Sequence, residues 1–115
     1  AARLAVNTPE EHDSIIAYTS DLMHISASAL CLDFNENMNL AYTAGAFRDC
    51  TRIAMINPKL WTELFLENAE HIVTEIDRFS ASLNKFRDAI ANGRADRLFD
   101  ILSTVRANKT DILKR

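Results

Sequence analysis

Two apolar lines run side by side through the second half of the chain. Phe65, Ile72, Phe79 and Phe86 recur every seven residues, and Ala69, Ile76, Leu83 and Ile90 recur beside them. Such spacing, held over four repeats, keeps one helical face against a partner and describes a coiled-coil-like seam. Trp61 and Leu64 extend the seam at its start, so one long helix is expected from Pro58 to about Asn92. Gly93 supplies a left-handed stop. A last helix, about Ala95 to Leu113, carries Leu98, Ile101, Leu102, Val105 and Ile112 on one face and should fold back antiparallel. The apolar face of that hairpin is too large for two helices to cover alone. Docking of another helix or of a second subunit completes it.

Only 2 Gly and 2 Pro occur among 115 residues, so helix breakers are scarce and the fold class is all-α. The N-terminal half fits. Thr8-Pro9-Glu10-Glu11 spells a capped helix start, with Pro9 in the first turn. The first helix should run to about Leu32, with Ile15, Ile16, Leu22, Met23, Ala29 and Leu30 as its buried stripe. A second line, Asp13, Ala17, Ser20, Asp21, His24, Ala27 and Ser28, is small and polar, suited either to solvent or to close approach of a backbone or ligand. Asp33 to Thr43 is rich in Asn and reads as a loop or a broken helical turn. A short helix follows from about Ala46 to Ile56, and Asn57-Pro58 starts the next. Residues 1–7 form an extended leader ahead of one domain, 8–115.

The formal net charge of -3 and the lack of a basic stripe argue against nucleic acid. No uninterrupted apolar run approaches the ~20 residues of a bilayer span and no signal pattern opens the chain, so no membrane is expected and the compartment is cytoplasmic. Cys31 and Cys50 read as buried free thiols. The His12-Asp13 pair has no accompanying ligands at metal spacing, and no metal site is expected.

Chemistry concentrates in AFRDCTRIA. Asp49 and Arg52 stand three apart and can pair on one face, while Arg48 lies four before Arg52. A guanidinium held by a carboxylate among Phe47, Ile53 and Ala54 is oriented to grip an anion with two prongs. The alternative is an ordinary surface ion pair. His24, on the small face of the first helix, is either a hydrogen-bonded structural residue or a ligand group.

TPEEHDSIIAYTSDLMHISASAL resembles the helix that opens the C-terminal domain of prephenate dehydrogenases, PEEHDxxxAxxSHLPHxxAxAL. GAFRDCTRIAMINPKLWTELFLEN resembles the same family's GFRDxTRIAxxxPxxWxDIxxxN, and together the likeness covers nearly the whole chain. The resemblance implies a dimerising bundle like the C-terminal domain of 6-phosphogluconate dehydrogenase, forming a homodimer through the long helices. It implies a parent oxidoreductase of tyrosine biosynthesis that oxidatively decarboxylates prephenate or arogenate with NAD or NADP. The nucleotide and the catalytic histidine belong to an N-terminal Rossmann domain, of which residues 1–7 resemble the last stretch. This chain alone is then inactive and carries no catalytic residue.

Within that family Arg52 matches the arginine that binds a substrate carboxylate, Asp49 the acid that orients it, and His24 the pocket-facing second histidine of SHLPH. Ser20 matches that motif's serine, and Arg48 a frequent Arg or Lys. Asp21 replaces the motif's first histidine and Met23 its proline, which should leave the helix straighter. An anion at Asp21 suits the ammonium of arogenate better than the keto group of prephenate. A purely structural dimerisation module remains the alternative function.

Overall fold

The computed structural model describes residues 8–34, 37 and 45–115. The leader 1–7 and most of the Asn-rich loop lie outside the described residues. Among the described residues six α-helices follow in order: α1 Pro9–Ile16, α2 Leu22–Leu32, α3 Ala46–Thr51, α4 Pro58–Glu67, α5 Ala69–Ala91 and α6 Ala95–Leu113. A π-turn, Ala17–Asp21, joins α1 to α2, and a 3₁₀ turn, Arg52–Ala54, continues α3. No strand occurs among the described residues. The all-α class expected from breaker scarcity and heptad spacing is the one observed.

The helix starts obey local chemistry. Thr8 Oγ1 accepts from the Glu11 amide at 3.1 Å, and Pro9 occupies the first turn. Asn57 Oδ1 accepts in the same way from the Leu60 amide at 3.1 Å, ahead of Pro58. Each bond satisfies an amide that the first turn leaves without a helical partner. Replacing Asn57 with Ala should therefore cost about 1 kcal/mol, read as a lower urea midpoint at unchanged m-value. An unchanged midpoint would show that Pro58 alone sets the start. At the other end, Gly93 has φ 61, its amide bonds Ile90 O at 3.2 Å, and the Arg94 amide bonds Ala89 O at 2.8 Å. That pair of bonds is a Schellman stop, which needs the left-handed residue that glycine supplies cheaply. Just beyond, two hydrogen bonds from Arg94, aided by the Arg97 amide, hold the Asp96 carboxyl below the usual carboxylate range.

Several expectations need correction. The long helix expected from Pro58 to Asn92 is broken at Asn68, where φ -115 and ψ 28 leave the helical region. Heptad spacing survives such a break because it records which face is apolar, not whether every backbone bond is made. The first helix is continuous in span and carries a π-turn just before Met23, the position where the family has proline. The Leu22 amide reaches back five residues to Ala17 O, which inserts the π-turn.

Of the stripe expected to be buried on that helix only Leu22 is buried, and the small, polar line supplies the other buried residues. Ala17, Asp21, Leu22 and Ala27 are buried, whereas Ile15, Ile16, Met23 and Leu30 are exposed. Small side chains let neighbouring backbone come close, and α2 packs against α3 and the 3₁₀ turn. The large apolar residues are left facing outward. Cys31 and Cys50 are free, as read, but exposed rather than buried. The Pro9–Leu32 span further reaches a mean hydropathy of 1.3 over 18 residues, which by length and composition alone is enough for a membrane span. Its Asp21 and His24 instead contact polar and aromatic groups of α4 and its end.

The chain forms two compact units, Asn7–Ile76 and Asp77–Arg115, with the boundary inside α5. In the first, Ile72 of the seam is 5% exposed. In the second, Leu83 and Ile90 of the same seam and Phe99, Leu102 and Val105 of α6 are exposed, and Ala89 is buried.

Candidate functional site

The first unit gathers its chemistry around the π-turn. His24 Nδ1 lies 2.9 Å from Ser20 O. A carbonyl can only accept, so Nδ1 carries the proton. Nε2 is left as the ring's other working nitrogen, an acceptor when the ring is neutral and a donor when it is charged. The imidazole stacks on Trp61 of α4, with centroids 4.2 Å apart and planes inclined by 27°. Trp61 in turn meets Phe65 at 5.4 Å in a tilted arrangement. The indole thus clamps the imidazole between α2 and α4.

Beside this stack is a groove of about 350 Å³. Ile16, Trp61 and Leu64 supply its apolar lining, and Asp13, Ser20, Asp21, Glu67 and Asn68 its polar one, with His12 at the edge. Asp21 is only 6% exposed. Its Oδ2 accepts from the Asn68 carboxamide at 3.2 Å, and the same nitrogen donates to Asp13 O at 2.9 Å. A buried carboxylate without such a donor would be costly. His12 and Asp13, the metal-like dipeptide of the sequence, lie 3.6 Å apart with both side chains largely exposed.

Asp49 and Arg52 form the ion pair that their spacing allows, at 2.7 Å through a single guanidinium nitrogen. The pair is open to solvent, with the Arg52 side chain 74% exposed. Thr51 Oγ1 donates to Phe47 O at 2.7 Å, which steadies the end of α3 where Arg52 leaves it. Arg48 is exposed on the same helix. The six candidate residues therefore fall into two groups. Ser20, Asp21 and His24 meet Trp61 or the groove, whereas Arg48, Asp49 and Arg52 stand on the neighbouring short helix and its 3₁₀ extension, outside that lining.

Trp61 and Asn68 were not among the residues singled out for the site. The signal was present. They are the tryptophan and the closing asparagine of the P-x-x-W motif, which marks a face of α4 rather than only the seam.

An all-helical domain with a groove of mixed polar and apolar lining is what the fold and this geometry define. Residues 8–104 match the family described as "Prephenate dehydrogenase, dimerization domain". The chain is 38% identical over 104 residues to the cyclohexadienyl dehydrogenase of Zymomonas mobilis, covering 85% of this chain and 36% of that one. It is 32% identical over 104 residues to the prephenate dehydrogenase of Bacillus subtilis, covering 86% and 28%. Among solved structures, prephenate dehydrogenase from A. aeolicus, determined with hydroxyphenyl propionate and NAD+, superposes with a TM-score of 0.82 at 31% identity, over 96% of this chain and 40% of that one. The chain belongs to the prephenate dehydrogenase dimerization-domain family. It spans roughly a third of the length of the curated relatives it matches.

Proposed function

We propose that this chain is the dimerising and substrate-completing part of a cytoplasmic dehydrogenase that oxidatively decarboxylates prephenate or arogenate. The family match over residues 8–104 carries the reading, because its FRDxTRIA and P-x-x-W motifs coincide with the Asp49–Arg52 pair and the His24–Trp61 stack. Arg52 grips a substrate carboxylate, and Asp49 holds its guanidinium on the helix. Arg48 adds positive charge nearby. His24, with its tautomer fixed by Ser20 O, offers Nε2 to the substrate, and Ser20 contributes to the groove wall.

NAD or NADP accepts the hydride in such enzymes. The residues described here do not fit a dinucleotide: the chain's two glycines start α3 and stop α5, and no strand leads into a phosphate-cradling turn. No step of hydride transfer is therefore assigned to this chain. The reading is tested on the parent enzyme by NAD(P)H formation with each substrate, and absence of turnover with both would overturn it.

Asp21 bears on which substrate is preferred. Its carboxylate lines the groove and attracts an ammonium group, which arogenate has and prephenate lacks. Asp21→His should lower the arogenate-to-prephenate ratio of kcat/KM by about 10-fold, the worth of one charge-assisted contact. An unchanged ratio would remove Asp21 from substrate choice.

A further inference from the structure

We propose that Asn68 is a positioning residue: its carboxamide fastens the π-turn to the α4–α5 break and thereby holds Trp61 on His24. In its kinetic consequence the proposal rests on the reading above of His24 as substrate-facing. In its geometry it stands alone.

Asn68 belongs to neither flanking helix. Its amide bonds Phe65 O at 3.3 Å and its carbonyl accepts from the Ile72 amide at 3.1 Å, so the backbone is satisfied and the side chain is released for other work. That side chain reaches across to two places on the first helix, Asp13 O at 2.9 Å and Asp21 Oδ2 at 3.2 Å. One contact lies before the π-turn and the other at its last residue.

The stack and this latch form two ends of one clasp. Trp61 is two helical turns before Asn68 on α4, and His24 is three residues after Asp21. Ring stacking tolerates sliding and tilt, whereas hydrogen bonds fix distance and direction. The aromatic pair alone therefore leaves the register of α4 loosely set, and the carboxamide sets it. Asp21 is buried, so a lost donor leaves its carboxylate short of a partner and drives the turn to rearrange.

Trp61 is the chain's single tryptophan, which gives the stack its own signal. A stacked imidazole alters indole emission, so emission at fixed pH reports the contact. His24→Asn should change that emission, while His12→Asn should not. Asn68→Ala and Asp21→Ala should each reproduce at least about half of the His24→Asn change in amplitude at unchanged far-UV circular dichroism. Their combination should change no more than the stronger single variant, since both remove the Asn68–Asp21 bond.

In the parent enzyme, Asn68→Ala should lower kcat/KM about 10-fold through loss of orientation. Both single variants keeping the wild-type amplitude would overturn the proposal, as would His24→Asn emission equal to that of the wild type. Should Asn68→Ala lose helicity, Asp21→Ala decides by the same amplitude, because it leaves the Asn68–Asp13 bond in place. Variants that show the emission change yet keep full kcat/KM would instead overturn the substrate-facing role of the pair.

Discussion

Arg52→Ala in the parent enzyme should lower kcat/KM by about 10²–10³-fold, the equivalent of about 3–4 kcal/mol of lost transition-state binding. The argument starts from how little this guanidinium contributes to the fold. Its bond to Asp49 at 2.7 Å is solvent-exposed, and exposed pairs of this kind are worth roughly 0–1 kcal/mol. Removing it should leave the thermal midpoint and the oligomeric state unchanged. A carboxylated ring seated against it presents the opposite case. Once the rest of the enzyme covers the cleft, the charge pair is desolvated, and truncating one partner strands the other. Arg52→Lys should recover only part of the loss, because an ammonium cannot match a carboxylate with two parallel bonds. Asp49→Asn should cost less than Arg52→Ala, since it loosens the guanidinium without deleting it. Steady-state kinetics on both substrates, beside sedimentation of the same variants, separate these effects. An Arg52→Ala enzyme within about 3-fold of wild type, roughly 0.7 kcal/mol, would leave the chain as a dimerising scaffold.

How far the sequence alone revealed this molecule depends on the kind of signal involved. Caps, stops and helix class follow from nearest neighbours, and Thr8, Asn57 and Gly93 act as their residue types dictate. Which face points inward does not follow from hydrophobicity alone. Ile15, Ile16, Leu22, Met23 and Leu30 look like a core stripe, yet of these only Leu22 is buried, beside Ala17, Asp21 and Ala27. The large residues on that helix are exposed, and a pattern of hydrophobicity does not say which apolar face a chain buries. The break at Asn68 escaped for a related reason. Asparagine inside a helical pattern costs only a few tenths of a kcal/mol, so propensity does not flag it. Its two bonds to residues 47 and 55 positions away are tertiary. The site was half legible. Spacing alone gives the Asp49–Arg52 pair, but the His24–Trp61 stack joins residues 37 positions apart in sequence and needs the fold to bring them together.

Leu83→Asp should raise the dissociation constant of the homodimer by about 10²–10⁴-fold. Among the described residues the buried apolar ones are Ala17, Leu22, Ala27, Ile72 and Ala89, three of them alanines. A 115-residue chain folding alone conceals about two-thirds of its unfolded surface, and that set is too small to serve as its only core. Meanwhile Phe79, Leu83 and Ile90 of the heptad seam and Phe99, Leu102 and Val105 of α6 lie open, with Phe99 71% and Ile90 64% exposed. Heptad faces left open in this way are completed by a second copy, and two-fold symmetry makes each substitution count twice. Burying one leucine contributes about 1.5–3 kcal/mol, so the two copies of Leu83 supply about 3–6 kcal/mol of the association. An aspartate at the centre of that seam removes this and adds the desolvation of a charge. Sedimentation equilibrium should find the unaltered chain dimeric at micromolar concentration and Leu83→Asp monomeric. The Asp49–Arg52 pair lies on a different element, so Arg52→Ala should stay dimeric in the same experiment. A wild-type monomer, or a Leu83→Asp dimer of unchanged affinity, would mean that the open seam is covered by some other part of the enzyme.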